Sequence, residues 1–408
     1  MKKMRSLVLV PYHFLLPYLG ALMYRYPSRR LLVIAVTGTK GKSSVTEMIN
    51  AILEEAGYTT ALLNSIRFKI AGRSEPNLLR MSMPGRFFVQ RFLRQAVSAG
   101  CTAAILEMTS EGARQHRHRG IALDALVFTN LAPEHIESHG SYEAYADAKF
   151  SIGKALVRSP KRPRIMVANA DDPQSKRYLA LPVERSIPFS LGEHEHRSDE
   201  RGGTLRFEEG DITLRLPGDF SLRNALAAAS LARALDIPLE TIVRALAKIV
   251  TIPGRAERID AGQDFTVVVD YAHTPDSLQA LYDAYADVRK VCVLGNTGGG
   301  RDTWKRPVMG RIADTACDEV ILTNEDPYDE DPRKIVEQMT TEMRRAPTII
   351  MDRRLAIREA LARAHSGDAV LITGKGTDPC ICVERGNKIP WSDARVAREE
   401  IERLRSRV

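Results

Sequence analysis

The segment Val36–Ser44, VTGTKGKSS, places glycine, lysine and hydroxyl side chains between an apolar run and a helical pattern. Glycines let backbone N–H groups approach phosphate, and the N-terminus of a helix adds partial positive charge. A lysine and a serine in this context can reach the β/γ-phosphates and ligate Mg²⁺. The strict motif needs glycine at Val36, so this is a variant P-loop. The predicted ATP-binding residues are Gly38, Thr39, Lys40, Gly41, Lys42, Ser43 and Ser44.

Two further candidates follow apolar runs that have the pattern of buried strands. Glu107 ends AAILE, and His135 follows LVFTN. At strand carboxyl ends beside the phosphate loop, a carboxylate and an imidazole could hold the Mg²⁺ ions that neutralise a transferring phosphoryl group. Each residue alone is more often a hydrogen-bonding group of a loop, and Lys149 alone would be taken for a surface lysine.

The second half of the chain contains its own candidates. Arg255, in PGRAER, could reach a γ-phosphate as an inserted clamp. Asp270 ends the run VVVD, where a carboxylate can accept a hydrogen bond from a ribose hydroxyl. Arg301 lies in a glycine-rich basic segment suited to carboxylate or phosphate groups. The acidic segment LTNEDPYDEDP is either a solvated loop or a site that recognises an amine.

These residues must be positioned by alternating strands and helices, a pattern that begins at Leu31. It predicts an α/β fold in which a parallel sheet binds ligands at its strand carboxyl ends. Residues 185–217 alternate and suggest a small antiparallel hairpin insert, followed by a helical stretch from Leu222 to about Val250. After a break at 251–254 the rhythm restarts. We predict an apolar helical segment at 1–30, a central phosphate-loop domain at 31–250, and a second, Rossmann-like α/β domain at 251–408.

Composition restricts the classes of protein. The chain of 408 residues is longer than one hydrophobic core usually supports. Its content of 44% apolar and 27% charged residues is typical of a folded globular protein. The net charge of +8 suits anionic small substrates. No arginine-rich arm interleaved with aromatics is present, which argues against a nucleic-acid partner. The five cysteines form no CxxC pair, so free thiols in a reducing cytoplasm are expected.

Residues 7–24 are mostly apolar and are flanked by basic residues on both sides. Their length approaches the roughly 20 residues that span a bilayer, but they contain two prolines and a histidine. A helix that packs on the first domain is one interpretation. Association with a membrane, at its surface or through it, is the other.

The order of these motifs resembles the Mur ligase family, and most closely its UDP-N-acetylmuramyl-tripeptide synthetase branch. The resemblance covers about residues 31–395. The segments that carry it are VTGTKGKSS, EMTSEG, FTNLAPEHIESHGSYEAYADAK, NADD, GDFSLRNALAAA, PGRAERID, VVVDYAHTPDSL, GRDTWKRPVMGRIA, TNEDPYDEDP, and LITGKG followed by WSD.

The resemblance implies a cytoplasmic, monomeric ligase that uses ATP and Mg²⁺ to join a muropeptide-like acid to an amino acid. Lys42, Ser43, Glu107 and His135 would bind phosphate and metal, and Lys149 matches a lysine that carries a carbamate. Asn224 would contact adenine, Arg255 the γ-phosphate and Asp270 the ribose. The residues implied to meet the amino acid are Arg301, Asp326, Tyr328 and Asp378.

Two departures from the family pattern change these expectations. Only about 30 residues precede the ATPase strand, where the family has a domain that grips the uridine nucleotide. Weak binding of a nucleotide-linked muropeptide is therefore expected, and the acceptor could be lipid-linked. The amino-acid loop reads Glu325-Asp326-Pro327-Tyr328 where the diaminopimelate-adding branch has Asp-Asn-Pro-Arg. Two alternatives stay open: a related ligase of the folylpolyglutamate or cyanophycin type, and a non-catalytic ATP-binding protein.

Overall fold

The computed structural model describes residues 15–134 and 136–406. The chain forms two compact units. The first contains the described residues up to 197, with 204–214 and 220–249; the second contains 198–203, 215–219 and the residues from 250 onward. Helices and strands are numbered along the chain, beginning with α1 at residues 15–23.

An eight-stranded sheet with strand order β4-β3-β2-β5-β1-β6-β7-β8 forms the centre of the first unit. In this spatial order, the six strands β2, β5, β1, β6, β7 and β8 run parallel to their neighbours, as predicted. At the other edge, β3 and β4 form an antiparallel hairpin that pairs with β2 and that the sequence pattern did not indicate. The strands are β1 (Leu32–Thr37), β2 (Thr60–Leu63), β3 (Arg67–Ile70), β4 (Arg73–Pro76), β5 (Ala103–Glu107), β6 (Ala125–Phe128), β7 (Ile165–Asn169) and β8 (Arg185–Phe189).

Residues 185–217 differ from the predicted insert. Arg185–Phe189 is strand β8 and pairs in parallel with β7, because its backbone completes the edge of the main sheet. A separate three-stranded sheet follows, with β9 (His196–Ser198), β10 (Gly203–Phe207) and β11 (Gly210–Leu214). The predicted single helical stretch after it is two helices, which separate at the sequence around Pro238.

The central strands of the eight-stranded sheet are buried on both faces, as expected for parallel strands covered by helices. The helices after α1 are α2 (Lys42–Glu55), α3 (Arg86–Ser98), α4 (Ser110–Arg114), α5 (Ile136–His139), α6 (Tyr142–Val157), α7 (Ser175–Leu179), α8 (Gly218–Ala234) and α9 (Leu239–Ala247). Short 3-10 helices lie at Pro27–Arg30 and Leu191–Glu193.

The second unit is built on a six-stranded sheet with strand order β12-β13-β17-β14-β15-β16. Its strands run parallel except β12, which pairs antiparallel with β13. The strands are β12 (Glu257–Arg258), β13 (Thr266–Asp270), β14 (Lys290–Leu294), β15 (Glu319–Leu322), β16 (Thr348–Ile349), β17 (Ala369–Thr373), and the separate pair β18 (Cys380–Cys382) and β19 (Lys388–Pro390).

Helices flank this second sheet and complete an apolar core around β13, β14 and β17. They are α10 (Pro275–Asp283), α11 (Lys305–Ala316), α12 (Pro332–Thr340), α13 (Arg353–Arg363) and α14 (Asp393–Arg405), with a 3-10 helix at Glu384–Gly386. This architecture confirms the predicted α/β fold. The boundaries predicted at residues 30 and 250 stay predictions.

The expectation that every cysteine is a free thiol is wrong. Cys292 in β14 and Cys317 at the end of α11 form a disulfide, whereas Cys101, Cys380 and Cys382 remain thiols. The spacing of 25 residues gives no local signal. The two sulfurs meet because β15 returns beside β14, with the amide of Asp318 donating to the carbonyl of Lys290.

Among residues 15–134 and 136–406, the helices are all too short or too polar to cross a bilayer. The part of the predicted apolar segment that precedes residue 15 lies outside the described residues.

Candidate active site

The predicted phosphate loop connects β1 to α2 and depends on two glycines with positive φ angles. Gly38 has φ +150° and Gly41, the N-cap of α2, has φ +79°. A Cβ on Gly41 would lie 2.3 Å from Oδ1 of Asn224, which α8 brings to the loop. The fold therefore unites Asn224 with the loop although they are far apart in sequence.

Residues that follow β6 hold the loop in place. The amides of Thr39 and Lys40 donate to the carbonyl and side-chain oxygens of Asn130, both at 2.8 Å. The Thr129 hydroxyl donates to the carbonyl of Lys40 at 2.6 Å. Sequence reasoning did not select Thr129 or Asn130. Their signal was available, because they end the run LVFTN next to the central strand.

Ser43 and Glu107 meet beside the loop. The register pairs Val36 of β1 with Glu107 of β5, and the Ser43 hydroxyl donates to Oε2 of Glu107 at 2.9 Å. Ser65, which was not predicted, joins them: its amide donates to the same carboxylate oxygen at 2.9 Å, and its hydroxyl lies 2.8 Å from that of Ser43. Hydroxyl and carboxylate oxygens are the ligands that Mg²⁺ prefers, so this donor set fits that ion.

Lys149 is buried at 2% exposure in α6, not at the surface. Its ammonium nitrogen donates to the carbonyl of Gly38 at 2.5 Å and lies 4.8 Å from the centre of the Tyr145 ring. Burial, reinforced by the positive charge of Lys42, lowers the pKa of Lys149 well below its usual value. A lower pKa favours the neutral amine, which is the form that reacts with carbon dioxide.

The two lysines of the loop have different partners. The Lys42 ammonium donates to the carbonyl of Thr39 at 2.8 Å, at the start of α2. Lys40 forms an ion pair with the buried carboxylate of Glu134 at 3.3 Å, a contact that sequence reasoning missed. The predicted metal ligand His135, next to Glu134, lies outside the described residues. Among the remaining residues, no three His, Cys, Asp or Glu side chains cluster as a metal site.

In the second unit, Arg255 and Asp270 lie at adjoining loops. The Arg255 guanidinium donates to the carbonyl of Gly254 at 2.9 Å and lies 4.6 Å from the centre of the Tyr271 ring. The Asp270 carboxylate accepts from the amides of Ala256 and Ala272, both at 2.6 Å. Asp270 therefore ties the Arg255 segment to the end of β13.

The four residues predicted to meet an amino acid form two groups in the second unit. Asp326 and Asp378 accept from the buried ammonium of Lys375 at 2.8 and 3.5 Å. The Arg301 guanidinium lies 5.5 Å from the centre of the Tyr328 ring. Residues 325–328 and 374–378 follow β15 and β17, so strand ends supply both acidic positions.

Glu325 belongs to the predicted amino-acid loop and is buried, although sequence reasoning did not single it out as a site residue. Its Oε1 accepts from the Thr297 hydroxyl at 2.7 Å, and Oε2 has no hydrogen-bond partner among the described residues. Burial raises the pKa of this carboxyl. A Cβ on Gly374 would lie 2.4 Å from Oε2, so a side chain at position 374 would collide with the Glu325 carboxylate.

A phosphate loop on one parallel sheet, and a second α/β unit with an arginine and acidic side chains at its strand ends, are typical of an ATP-dependent ligase of acids and amino acids. Comparison with known proteins agrees. Residues 36–232 match the Mur ligase middle domain, and residues 254–376 match the Mur ligase glutamate ligase domain.

Among similar proteins, UDP-N-acetylmuramyl-tripeptide synthetase of Roseiflexus sp. (strain RS-1) is 38% identical over 415 aligned positions, which cover 95% of this chain and 81% of the relative. A solved UDP-N-acetylmuramoyl-L-alanyl-D-glutamate–2,6-diaminopimelate ligase is 27% identical with a TM-score of 0.65, covering 96% of this chain and 83% of that one. Folylpolyglutamate synthase of Mycobacterium tuberculosis, solved with ADP and AMPPCP, shares the fold at 19% identity and a TM-score of 0.73. The match covers 90% of this chain and 93% of that one.

The chain belongs to the Mur ligase family. It is an enzyme of the ATP-dependent class that forms an amide bond between an acid and an amino acid.

Proposed function

We propose that this ligase extends a muropeptide-like acid by one amino acid in the synthesis of peptidoglycan precursors. The observation that carries the proposal is the convergence of Ser43, Glu107 and Lys149 on the phosphate loop. A site that only held a nucleotide would need the loop, but it would not need a carboxylate and a buried lysine beside it. The similarity to a tripeptide synthetase and a diaminopimelate ligase supports the choice of acceptor.

The proposed reaction has two chemical steps. A carboxylate oxygen of the acceptor attacks the γ-phosphorus of ATP, the bond to ADP breaks, and an acyl phosphate forms. The amine of the amino acid then attacks the acyl carbon, and the tetrahedral intermediate loses a proton and expels phosphate. Positioning and electrostatic stabilisation supply most of the rate enhancement in such transfers.

Residues of the first unit would bind the nucleotide and its metal. Lys42 and the amides of 38–44 hold the phosphates, and Asn224, next to Gly41, contacts the adenine. Ser43, Glu107, His135 and Lys149 as a carbamate would hold Mg²⁺, which neutralises phosphate charge when bound. The lowered pKa of Lys149 supports the carbamate, since only a neutral amine adds to carbon dioxide.

The second unit carries further residues to which we assign roles. We assign Arg255 to the γ-phosphate and Asp270 to the ribose, although the Asp270 carboxylate already accepts two backbone amides. Asp270 can keep both contacts, because a carboxylate has about four acceptor positions.

The amino acid is assigned to the strand ends of the second unit. Asp326 and Asp378 lie around Lys375, and Arg301 lies by the Tyr328 ring. Carboxylates suit the ammonium of an amino acid, and an arginine suits its carboxylate. We propose a cytoplasmic monomer with no nucleic-acid partner, in which residues 7–24 bring the enzyme to the inner surface of the membrane.

Two other functions remain to be tested against this one. A folylpolyglutamate-type ligase has the same fold, but the relative with 38% identity is a muropeptide enzyme. A non-catalytic ATP-binding protein would not need the contact between Ser43 and Glu107 or the buried Lys149.

Phosphate release should be measured with ATP and Mg²⁺ across muropeptide and folate acceptors, each combined with single amino acids. We expect release only with a muropeptide acceptor and one class of amino acid. Lys42→Ala should abolish it, whereas the exposed Lys176→Ala should not. Undiminished release by Lys42→Ala would sink the mechanism, and release with folate acceptors alone would reassign the substrate.

A further inference from the structure

Helix α1 has two apolar faces, and among the described residues only one of them is buried. On the inner face, Pro17 and Ala21 are buried, and a Cβ on Gly20 would contact Gln90 and Phe87 of α3 at 3.5 and 3.6 Å. The next residues anchor the end of the helix, where the Ser28 hydroxyl accepts from the amide of Ala122 at 3.0 Å. These contacts of the inner face hold α1 on the first unit.

The outer face exposes apolar side chains at helical spacing, i, i+3, i+4, i+7 and i+8. Leu19, Leu22 and Met23 are 54%, 59% and 64% exposed. The full set is Leu15, Tyr18, Leu19, Leu22 and Met23, which we call the outer face of α1. None of the five is charged, whereas the exposed face of a helix in a soluble protein is usually polar.

The part of the chain that contains this face carries charge of one sign in its sequence, including the two lysines of the phosphate loop. Residues 1–46 contain eight Lys and Arg, and the first acidic residue of the chain is Glu47. The rest of the chain then has 51 cationic residues against 51 acidic ones, so the whole net charge of +8 arises from the first 46 residues. Arg25, Arg29 and Arg30, directly after α1, are all exposed.

We propose that the outer face of α1 docks on the surface of an anionic lipid bilayer. An apolar helix face inserts into the boundary between headgroups and acyl chains, and arginines beside it contact lipid phosphates. A protein partner with an apolar groove would fit the leucines, but it would not account for a segment of 46 residues without any acidic side chain. Charge complementarity therefore favours the lipid surface.

This inference rests on the part of the proposed function that brings the enzyme to a membrane, and it is independent of the ligase reaction. Within the described residues, α1 is too short to cross a bilayer. Docking on the bilayer surface gives its exposed leucines a role that does not require a crossing. The helix would lie in the plane of the interface and present the first unit to that surface.

The test is co-sedimentation of the full chain with vesicles of phosphatidylcholine, alone or in an equimolar mixture with phosphatidylglycerol. We expect binding to the mixed vesicles, weaker binding to phosphatidylcholine, and a decrease with added salt. Leu19→Ser with Leu22→Ser should lower the partition coefficient by roughly tenfold per side chain. Arg29→Gln with Arg30→Gln should lower it about fivefold per charge, on anionic vesicles only.

The matched control replaces exposed apolar residues of the second unit, Leu355→Ser with Ile389→Ser, and should bind as the unaltered protein does. No binding to any vesicle would reject both the membrane association and this surface. Binding that is unchanged in the leucine variant would reject the surface and leave the association. A lipid-free dimer that the leucine variant dissociates, without any effect of vesicles, would assign the face to a second copy. Phosphate release in soluble assays tests the ligase separately.

Discussion

Lys149 shows how the environment of one residue can change its chemistry. An amphipathic helix pattern makes a lysine look solvent-exposed, yet α6 turns this side chain toward the carbonyl of Gly38. Removing the amine from water disfavours its charged form, and the neighbouring Lys42 adds to the effect. The same residue could therefore exchange its positive charge for the negative charge of a carbamate.

Lys149→Ala should lower ligation at least about 100-fold, the size of losing one electrostatic stabiliser of the transition state. Acetate should restore part of the rate, because it can occupy the vacated volume as a carboxylate. Phosphate release with and without acetate measures both effects. Lys154→Ala, which is exposed on the same helix, should retain full activity. Wild-type rates in Lys149→Ala would refute the carbamate role.

At the scale of elements, the site is built where strands end and helix α2 begins. Glycines lie at both ends of α2, Gly41 before it and Gly57 after it, with φ of +79° and +88°. Only Gly41 is crowded: a Cβ there would meet Asn224, whereas a Cβ on Gly57 would have nothing within 4 Å. Substitutions at both positions strain the backbone, but only a substitution at Gly41 also places an atom in the nucleotide loop. Comparing the two variants therefore distinguishes the two effects.

Gly41→Ala should lower ATP affinity about tenfold or more, because the added methyl group collides with Asn224 and distorts the loop. Gly57→Ala should cost only about 1 kcal/mol of stability and leave ATP affinity unchanged. Isothermal titration with ATP and thermal unfolding give the two quantities. Equal ATP affinities for the two variants would show that contact with Asn224 is unimportant.

At the scale of the whole molecule, stability should depend on pH through His118. This histidine is 2% exposed, and burial, assisted by the positive charge of Arg119, lowers its pKa to about 3. Between pH 3 and the ordinary value of 6.5, the unfolded chain binds a proton at this position that the folded chain does not. The contribution of His118 to the free energy of unfolding therefore falls as the pH drops below 6.5.

His118→Leu should reduce that slope by up to about 1.4 kcal/mol per pH unit, because leucine cannot take up the proton. Denaturant unfolding at several values between pH 7 and pH 5 measures it. The exposed His365→Gln is the control and should keep the slope of the unaltered chain. An identical slope in His118→Leu would show that other groups dominate the acid sensitivity.

The sequence by itself determined the α/β class, the phosphate loop and the order of the motifs. These features are local: buried strands read as apolar runs, and the loop needs its own glycines and Lys42. The family resemblance added the reaction class, which the comparisons confirm.

Only the tertiary structure decided which distant residues meet. Asn224 approaches Gly41, Ser65 joins Ser43 and Glu107, and Cys292 bonds to Cys317 because strand order sets these neighbours. Burial is likewise a property of the folded chain, so the lowered pKa of Lys149 and the exposed leucines of α1 could not be derived from spacing. The periodicity of apolar residues predicts that a helix has apolar faces, but only the packing of the folded chain decides which face is covered.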